Sequence, residues 1–382
     1  MKKYLITYFI CLLFFLILFF PFLIYLYQVG ESQDLLSVVK KQKNNSKKII
    51  YGSNLHHDHR QYKKILLNES NPRIIALGSS RVLQFRQYMF TDEFINMGKG
   101  MNTINDGLDL ASEINAKNID LILLGIDFWM FIKSEVKHHD YLVKPKLNSY
   151  TPTLNDVSLL MKWMINGKVS FNDFHNTLMN GSHHIGISGG QGNGFGPDGS
   201  YYYTREISGQ ANNDIAFKNT SQRIKSGKNQ FKYSDEISIL KFNKFLKLIT
   251  LLKKGNKKLI LFFPPLAEPI YKQMNKMEKE YLYILKLKLK LKENEIKYYD
   301  FSSASKLDSN VGEFIDGFHG GEVTSLRILR QIMQDNIELS KFVNIKIINE
   351  NIKNYSGRAF VPDEEITNLK EIDFLKVGVS KD

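Results

Sequence analysis

Three short apolar runs, each closed by a glycine or proline, constrain this chain more than any other feature. Ile74-Ile75-Ala76-Leu77 stops at Gly78-Ser79-Ser80. Ile119 to Leu124, broken only by Asp120, stops at Gly125, and Leu259 to Phe263 stops at Pro264-Pro265. Apolar runs of this length between turn formers read as strands buried on both faces, the habit of a parallel sheet. Phe94 to Met97, ahead of Gly98-Lys99-Gly100, reads as a further strand, and Ile296 to Phe301 as a fifth. Between the strands, Ile104, Leu108, Leu110 and Ile114 recur at helical intervals over Thr103 to Ala116. Strand and helix in alternation imply an α/β three-layer sandwich with a central parallel sheet.

The remaining segments are read the same way. Val82, Phe85 and Met89 predict a helix over residues 81–90. Further helices are expected near Val157 to Ile165, from Ser234 through the stripe Ile239, Phe242, Phe245, Leu248 and Leu252, over Glu268 to Glu293, and over Val323 to Leu339. Asn344 to Ile348 reads as a short strand in the tail, residues 341–382. Residues 28–71 are polar and charged, so they read as a stalk below a domain spanning about residues 72–340. That domain is interrupted by a large irregular insertion, about 132–234, rich in Gly, Asn and Ser and carrying Tyr201-Tyr202-Tyr203. A loop of this size inside a compact domain is usually functional, and tyrosines beside glycines suit stacking on sugar rings.

Compartment follows from the N-terminus. Leu5 to Tyr27 contains no charge, follows Lys2 and Lys3, and is long enough to cross a bilayer as a helix. No small-residue cleavage site follows it, so residues 1–27 read as a cytoplasmic tip and uncleaved transmembrane anchor. Lysines before the helix, against Glu31 and Asp34 after it, orient the N-terminus to the cytoplasm and the bulk of the chain outside. The sole cysteine, Cys11, lies in the helix, so the exported part can form no disulfide. A formal charge of +13 implies anionic partners. With export, the membrane surface and an envelope polymer are favoured over nucleic acid. The cluster His56-His57-Asp58-His59 lacks a second ligand group at matching spacing and does not make a metal site.

The chemistry-bearing residues sit at the ends of the chain. Ser79 and Ser80 arrive at the carboxyl edge of the first strand, where open α/β sheets keep their sites. A serine there becomes a nucleophile if a histidine and an orienting carboxylate reach it. Of the nine histidines only His319 has an aspartate three residues before it, in Asp316-Gly317-Phe318-His319.

In Gly78-Ser79-Ser80, Asn96-Met97-Gly98-Lys99-Gly100, Gly125-Ile126-Asp127-Phe128 and Asp316-Gly317-Phe318-His319, the chain resembles the SGNH (GDSL-like) hydrolase superfamily. Within it, the likeness is to the membrane-anchored branch acting on cell-envelope glycans, such as the alginate O-acetylation and D-alanyl-lipoteichoic acid transfer proteins. The resemblance covers about residues 72–131 and 232–340 and implies an SGNH, flavodoxin-like sandwich. It implies Ser80 as nucleophile, His319 as base, Asp316 as its orienting group, and the N–H groups of Ser80 and Gly100 as oxyanion donors. The glycine loop is one residue shorter than usual, which leaves Gly98 as a rival to Gly100. Asp127 stands where the family has an Asn; a carboxylate cannot donate to an oxyanion, so a structural role is expected for it. Arg81 is read as a surface residue, as a partner of Asp127, or as a ligand of an anionic substrate. The implied activity is O-acyl transfer to, or ester hydrolysis of, an envelope polysaccharide, without metal or cofactor. For a transferase, a multi-spanning membrane acyl donor is implied as partner. The opposing reading is a catalytically silent SGNH-like glycan-binding or assembly component.

Overall fold

The computed structural model describes residues 2–55, 58–133, 151–211, 214–366 and 370–381. Five parallel strands, β1 (Ile74–Gly78), β2 (Phe94–Gly98), β3 (Leu121–Gly125), β4 (Lys258–Phe263) and β5 (Tyr299–Asp300), form one sheet in the order β2-β1-β3-β4-β5. Every side chain of β1, β2 and β3 is buried, as strands covered on both faces require.

Side chains alternate across the sheet. Ile74 and Ala76 join Phe94, Leu121, Leu123 and Phe262 in one cluster with Leu326, Leu329 and Ile332 of the Glu322–Asp335 helix and Ile348 of the Ile345–Tyr355 helix. The Ile104–Asn115 and Ile239–Leu252 helices pack on each other so closely that a Cβ at Gly107 would stand 2.7 Å from Leu248. Alternation assigns them to the opposite face, completing helix, sheet and helix layers. The chain order reverses between β1 and β3, and such a switch point opens a crevice at the carboxyl edge.

Several expectations are corrected. Residues 81–90 are not an α-helix but two 3₁₀ turns, Ser80–Val82 and Gln87–Met89. The Asn96 amide donates to the carbonyls of Val82 (2.8 Å) and Phe85 (2.9 Å), the acceptors that an α-helix would have used. The Lys-rich segment is two helices, Glu268–Asn275 and Leu282–Glu293, because Tyr281 turns in to meet the carbonyls of Ile224 and Phe231. Instead of a strand over 344–348, a single bridge joins Val343 to Phe90 and the Ile345–Tyr355 helix begins.

Neither the stalk nor the insertion keeps its expected boundary. The chain divides into two compact units, residues 1–58 with 143–197, and residues 59–142 with 198–382. In the first, Tyr51 and Phe195 exchange N–H to carbonyl bonds of 2.8 Å, and Gly52 donates to Ile185. The buried Glu31 carboxylate collects the N–H groups of Asn54, Leu55 and Ile187 and the Ser53 hydroxyl. Apolar contacts of Tyr25, Leu26 and Val29 with Val157, Leu160 and Phe174 close its core, the last three lying on or beside the Leu154–Ile165 and Phe171–Asn180 helices. Residues 59–71 belong instead to the second unit, where the His59–Asn68 helix pairs Arg60 with Asp106 at 2.8 Å. Polar composition suggested a stalk because many partners of residues 25–52, from Val157 to Phe195, lie more than a hundred residues away.

The first helix, Lys2–Gln28, runs 27 residues. Among the described residues no helix is long and apolar enough to cross a membrane; within Lys2–Gln28 the side chains at positions 11, 12, 15, 16 and 18 lie outside the described set.

The sheet edge is packed without slack. A Cβ at Gly125 would stand 2.4 Å from Val82 Cγ1, and one at Gly78 would stand 3.0 Å from the Gly125 carbonyl. Overpacking of this kind costs about 1–3 kcal/mol. Gly125→Ala therefore lowers the chemical-denaturation midpoint of the chain, and adding Val82→Ala restores part of the loss; additive losses in the double variant would contradict this steric account.

Candidate active site

Strand β1 ends at Gly78, and the chain turns at once into the 3₁₀ segment that carries Ser80. Ser79 caps that segment by accepting from the Arg81 N–H at 3.3 Å. At the other end of the chain, residues 314–320 form a tight loop, bridged between Phe314 and Gly320 and closed by Ile315 N–H to the His319 carbonyl at 2.9 Å. The loop brings His319 Nε2 to 2.8 Å from Ser80 Oγ, across 239 residues of sequence. His319 Nδ1 lies 2.8 Å from Asp316 Oδ2. The other Asp316 oxygen accepts the N–H groups of Phe318 (2.7 Å) and His319 (2.6 Å). Burial opposes the charge on Asp316, but the facing imidazole and these bonds together hold its pKa below the usual aspartate value. The three residues singled out from sequence thus meet in the order hydroxyl, imidazole, carboxylate, and both ring nitrogens are engaged.

Arg81 is not on the surface. Its guanidinium is buried and donates to Asp127 Oδ1 (3.0 Å), the Pro264 carbonyl (2.7 Å) and the Phe318 carbonyl (3.0 Å). It also lies 4.7 Å from the centre of the Phe318 ring. Burial lowers the Arg81 pKa and raises that of Asp127, and in each case the attraction of the partner opposes the shift. Asp127 is the buried partner of Arg81.

The expected oxyanion donors are corrected. The Gly98 N–H is held by the Asn96 side chain at 2.8 Å, and the Gly100 N–H by the Met97 carbonyl at 3.0 Å, a bond that closes the shortened loop as a turn with Lys99 at φ 64°. Both amides are spent inside the loop. The Ser80 amide opens a 3₁₀ turn and, as a first-turn N–H, has no acceptor within it.

Residues that sequence reasoning left without a role complete the frame. Asn96, fully buried, ties the nucleophile turn to the glycine loop through the three bonds named above. Asp214 accepts the Gly317 N–H at 3.1 Å and so steadies the His319 loop, while its other oxygen holds Asn219 N–H at 2.7 Å. Lys63, with no exposed surface, donates to the carbonyls of Asn96 and Gly199, and burial pushes its pKa well below the ordinary lysine value. Asn96 stood inside a recognised block; Lys63 lies beside Arg60 and Lys64 in a stretch that reads as polar surface, and Asp214 falls in the tract read as an irregular insertion. Among the described residues no group of three His, Cys, Asp or Glu could hold a metal, and His56 and His57 lie outside those residues.

No protein-family model, curated protein or solved structure gives a significant match to the chain.

Removing one partner of a buried ion pair costs about 3–5 kcal/mol because the other charge is left unpaired. Asp127→Asn is thus expected to destabilise the chain strongly, and Arg81→Met with Asp127→Leu to recover part of that stability. Wild-type unfolding of the Asp127→Asn chain in denaturant would rule out a structural ion pair.

Proposed function

We propose that the chain is an acyl-transfer enzyme of the SGNH type, working through an acyl-serine intermediate on Ser80. One observation carries the reading: the continuous Ser80, His319, Asp316 relay, with both contacts at 2.8 Å, at the carboxyl edge of β1. His319 takes the Ser80 proton as Oγ attacks an ester carbonyl, then returns it to the leaving oxygen. Asp316 holds the Nδ1–H tautomer and offsets the charge of the imidazolium. The tetrahedral oxyanion faces the Ser80 amide at the start of its turn. Attack on the acyl-serine by water completes an esterase cycle, and attack by a sugar hydroxyl completes a transferase cycle.

The substrate is proposed to be an envelope polysaccharide, and the chain to be anchored by Lys2–Gln28 with its N-terminus in the cytoplasm. Support for the anchor is the exposure of apolar side chains along the first part of the helix, including Leu5, Ile6, Phe9, Ile10, Leu13, Phe14 and Ile17. Exposed apolar surface of this extent needs a non-aqueous cover, and the helix carries it from Tyr4 to Phe20, before Tyr25 and Leu26 enter the core of the first unit. A transferase cycle further calls for a multi-spanning membrane partner that supplies the acyl group. The spent amides of Gly98 and Gly100 favour a second reading, a silent glycan-binding component that keeps the relay but lacks a full oxyanion hole.

Two measurements decide these points. A fluorophosphonate probe should label the wild-type chain and not Ser80→Ala, with His319→Ala lowering turnover of a chromogenic acetyl ester by roughly 10⁶ and Asp316→Asn by roughly 10⁴. No serine-dependent labelling would leave the silent reading. Protease added to spheroplasts should digest everything beyond the first helix and leave a small membrane-bound fragment; complete protection would reverse the topology.

A further inference from the structure

A cavity of about 630 Å³ in the second unit falls within the range of about 300–1,000 Å³ usual for small-molecule sites. One wall is Tyr202 and Tyr203, and Phe360 and Arg358 face into the same space. On the floor, buried Arg86 pairs with buried Glu322 at 2.8 Å and lies 3.9 Å from the centre of the Tyr202 ring, while the Tyr202 hydroxyl reaches Asp363 at 3.1 Å. The chain links the cavity to the relay. Glu322 follows His319 by three residues, which span at most about 11 Å of chain. The tyrosine segment continues toward the nucleophile, since Tyr201 N–H donates to the Leu83 carbonyl at 3.1 Å and the Lys99 ammonium lies 5.1 Å from the centre of the Tyr201 ring. Tyr201 and Tyr203 have ring centres 4.6 Å apart, and Tyr203 feels the charge of Asp316.

The charges lining this cavity balance. Arg86 is matched by Glu322 and Lys381 by Glu371 at 2.7 Å, and the lining also holds two further cations, Arg358 and Lys370, and two further carboxylates, Asp363 and Glu364. A balanced set offers no net attraction to an ion. It does offer donors and acceptors side by side, the pattern that adjacent hydroxyls satisfy, and the aromatic walls cover the apolar faces of a ring.

We propose that this cavity is the binding subsite for an uncharged, polyhydroxylated stretch of glycan, laid against the wall that Tyr203 and Phe360 form with ring centres 6.3 Å apart and hydrogen-bonded by Arg358 and Asp363, with the strand extending past Tyr201 to Ser80. The proposal rests on the acyl-transfer reading for the role of the bound glycan, but not for its binding. Calorimetric titration of the full chain in detergent, carrying Ser80→Ala to prevent turnover, tests it with three tetrasaccharides: chitotetraose, maltotetraose and tetragalacturonate. At least one neutral probe should bind, and Tyr203→Ala and Arg358→Gln, with melting temperatures unchanged, should each weaken it tenfold or more. Binding of neither neutral probe, tighter binding of tetragalacturonate, or neutral binding indifferent to both substitutions would overturn the subsite. Neutral binding weakened by both substitutions, in a chain whose wild-type form resists the phosphonate, would uphold the subsite and remove the acyl-transfer reading alone.

Discussion

The Arg81 guanidinium bonds three segments of the carboxyl edge to the nucleophile turn from which it springs. It reaches Asp127 beyond β3, the Pro264 carbonyl beyond β4 and the Phe318 carbonyl beside His319. Parallel strands deliver these loops to one edge, but strand pairing does not fix where the loops go afterwards. A planar cation with its donors in a fixed fork can hold several acceptors at defined angles, which a lysine could not do. Since Arg81 is the residue after Ser80 and Phe318 the residue before His319, that fork also sets the distance between nucleophile and base. Phe318 is gripped from its other side as well, with Trp129, Phe231 and Arg223 all around its ring.

A second clamp works on the other side of Ser80. Asn96 sits one residue pair from the end of β2, and its amide replaces the helical acceptors of the segment after the nucleophile. The backbone of Asn96 in turn donates to the Asp198 carbonyl at 2.7 Å, and Lys63 bridges Asn96 and Gly199. The turn at residues 198–200 is thereby sewn to the glycine loop, and it leads directly into Tyr201 to Tyr203. The tyrosines stand beside the relay because their approach to it is anchored on the sheet.

The legible parts of the sequence were those in which local pattern and final environment agree. Strands β1 to β3 are buried on both faces and β4 over its second half, so their apolar runs announce them; Ser80 follows from the turn that ends β1, and Asp316 and His319 from their spacing in one short loop. The segment 81–90 has helical spacing and is not a helix, because the decisive acceptor bonds come from Asn96 on another strand. The same blindness hid Asp214, whose partner Gly317 is 103 residues away. It also made a stalk of residues 28–58, whose hydrogen-bonding partners lie in 185–195. Composition marked that later tract as irregular, yet its glycines allow close approach rather than looseness: a Cβ at Gly194, whose φ is +158°, would stand 2.3 Å from the Tyr51 carbonyl.

The Asp127 substitution bears on catalysis differently once its partner is known. An isolated carboxylate near the oxyanion would oppose the developing charge by an amount that grows as the site dries. Paired with Arg81 at 3.0 Å, it forms half of an ion pair whose net charge is zero. The field that remains is that of a dipole, which falls off faster with distance than that of a charge. The pair therefore removes the repulsion without restoring the donor that an asparagine would have supplied. Under the proposed acyl transfer the oxyanion needs N–H donors, and with the Gly98 and Gly100 amides bonded inside their loop, Gly100 would serve only if bound substrate drew its amide from the Met97 carbonyl.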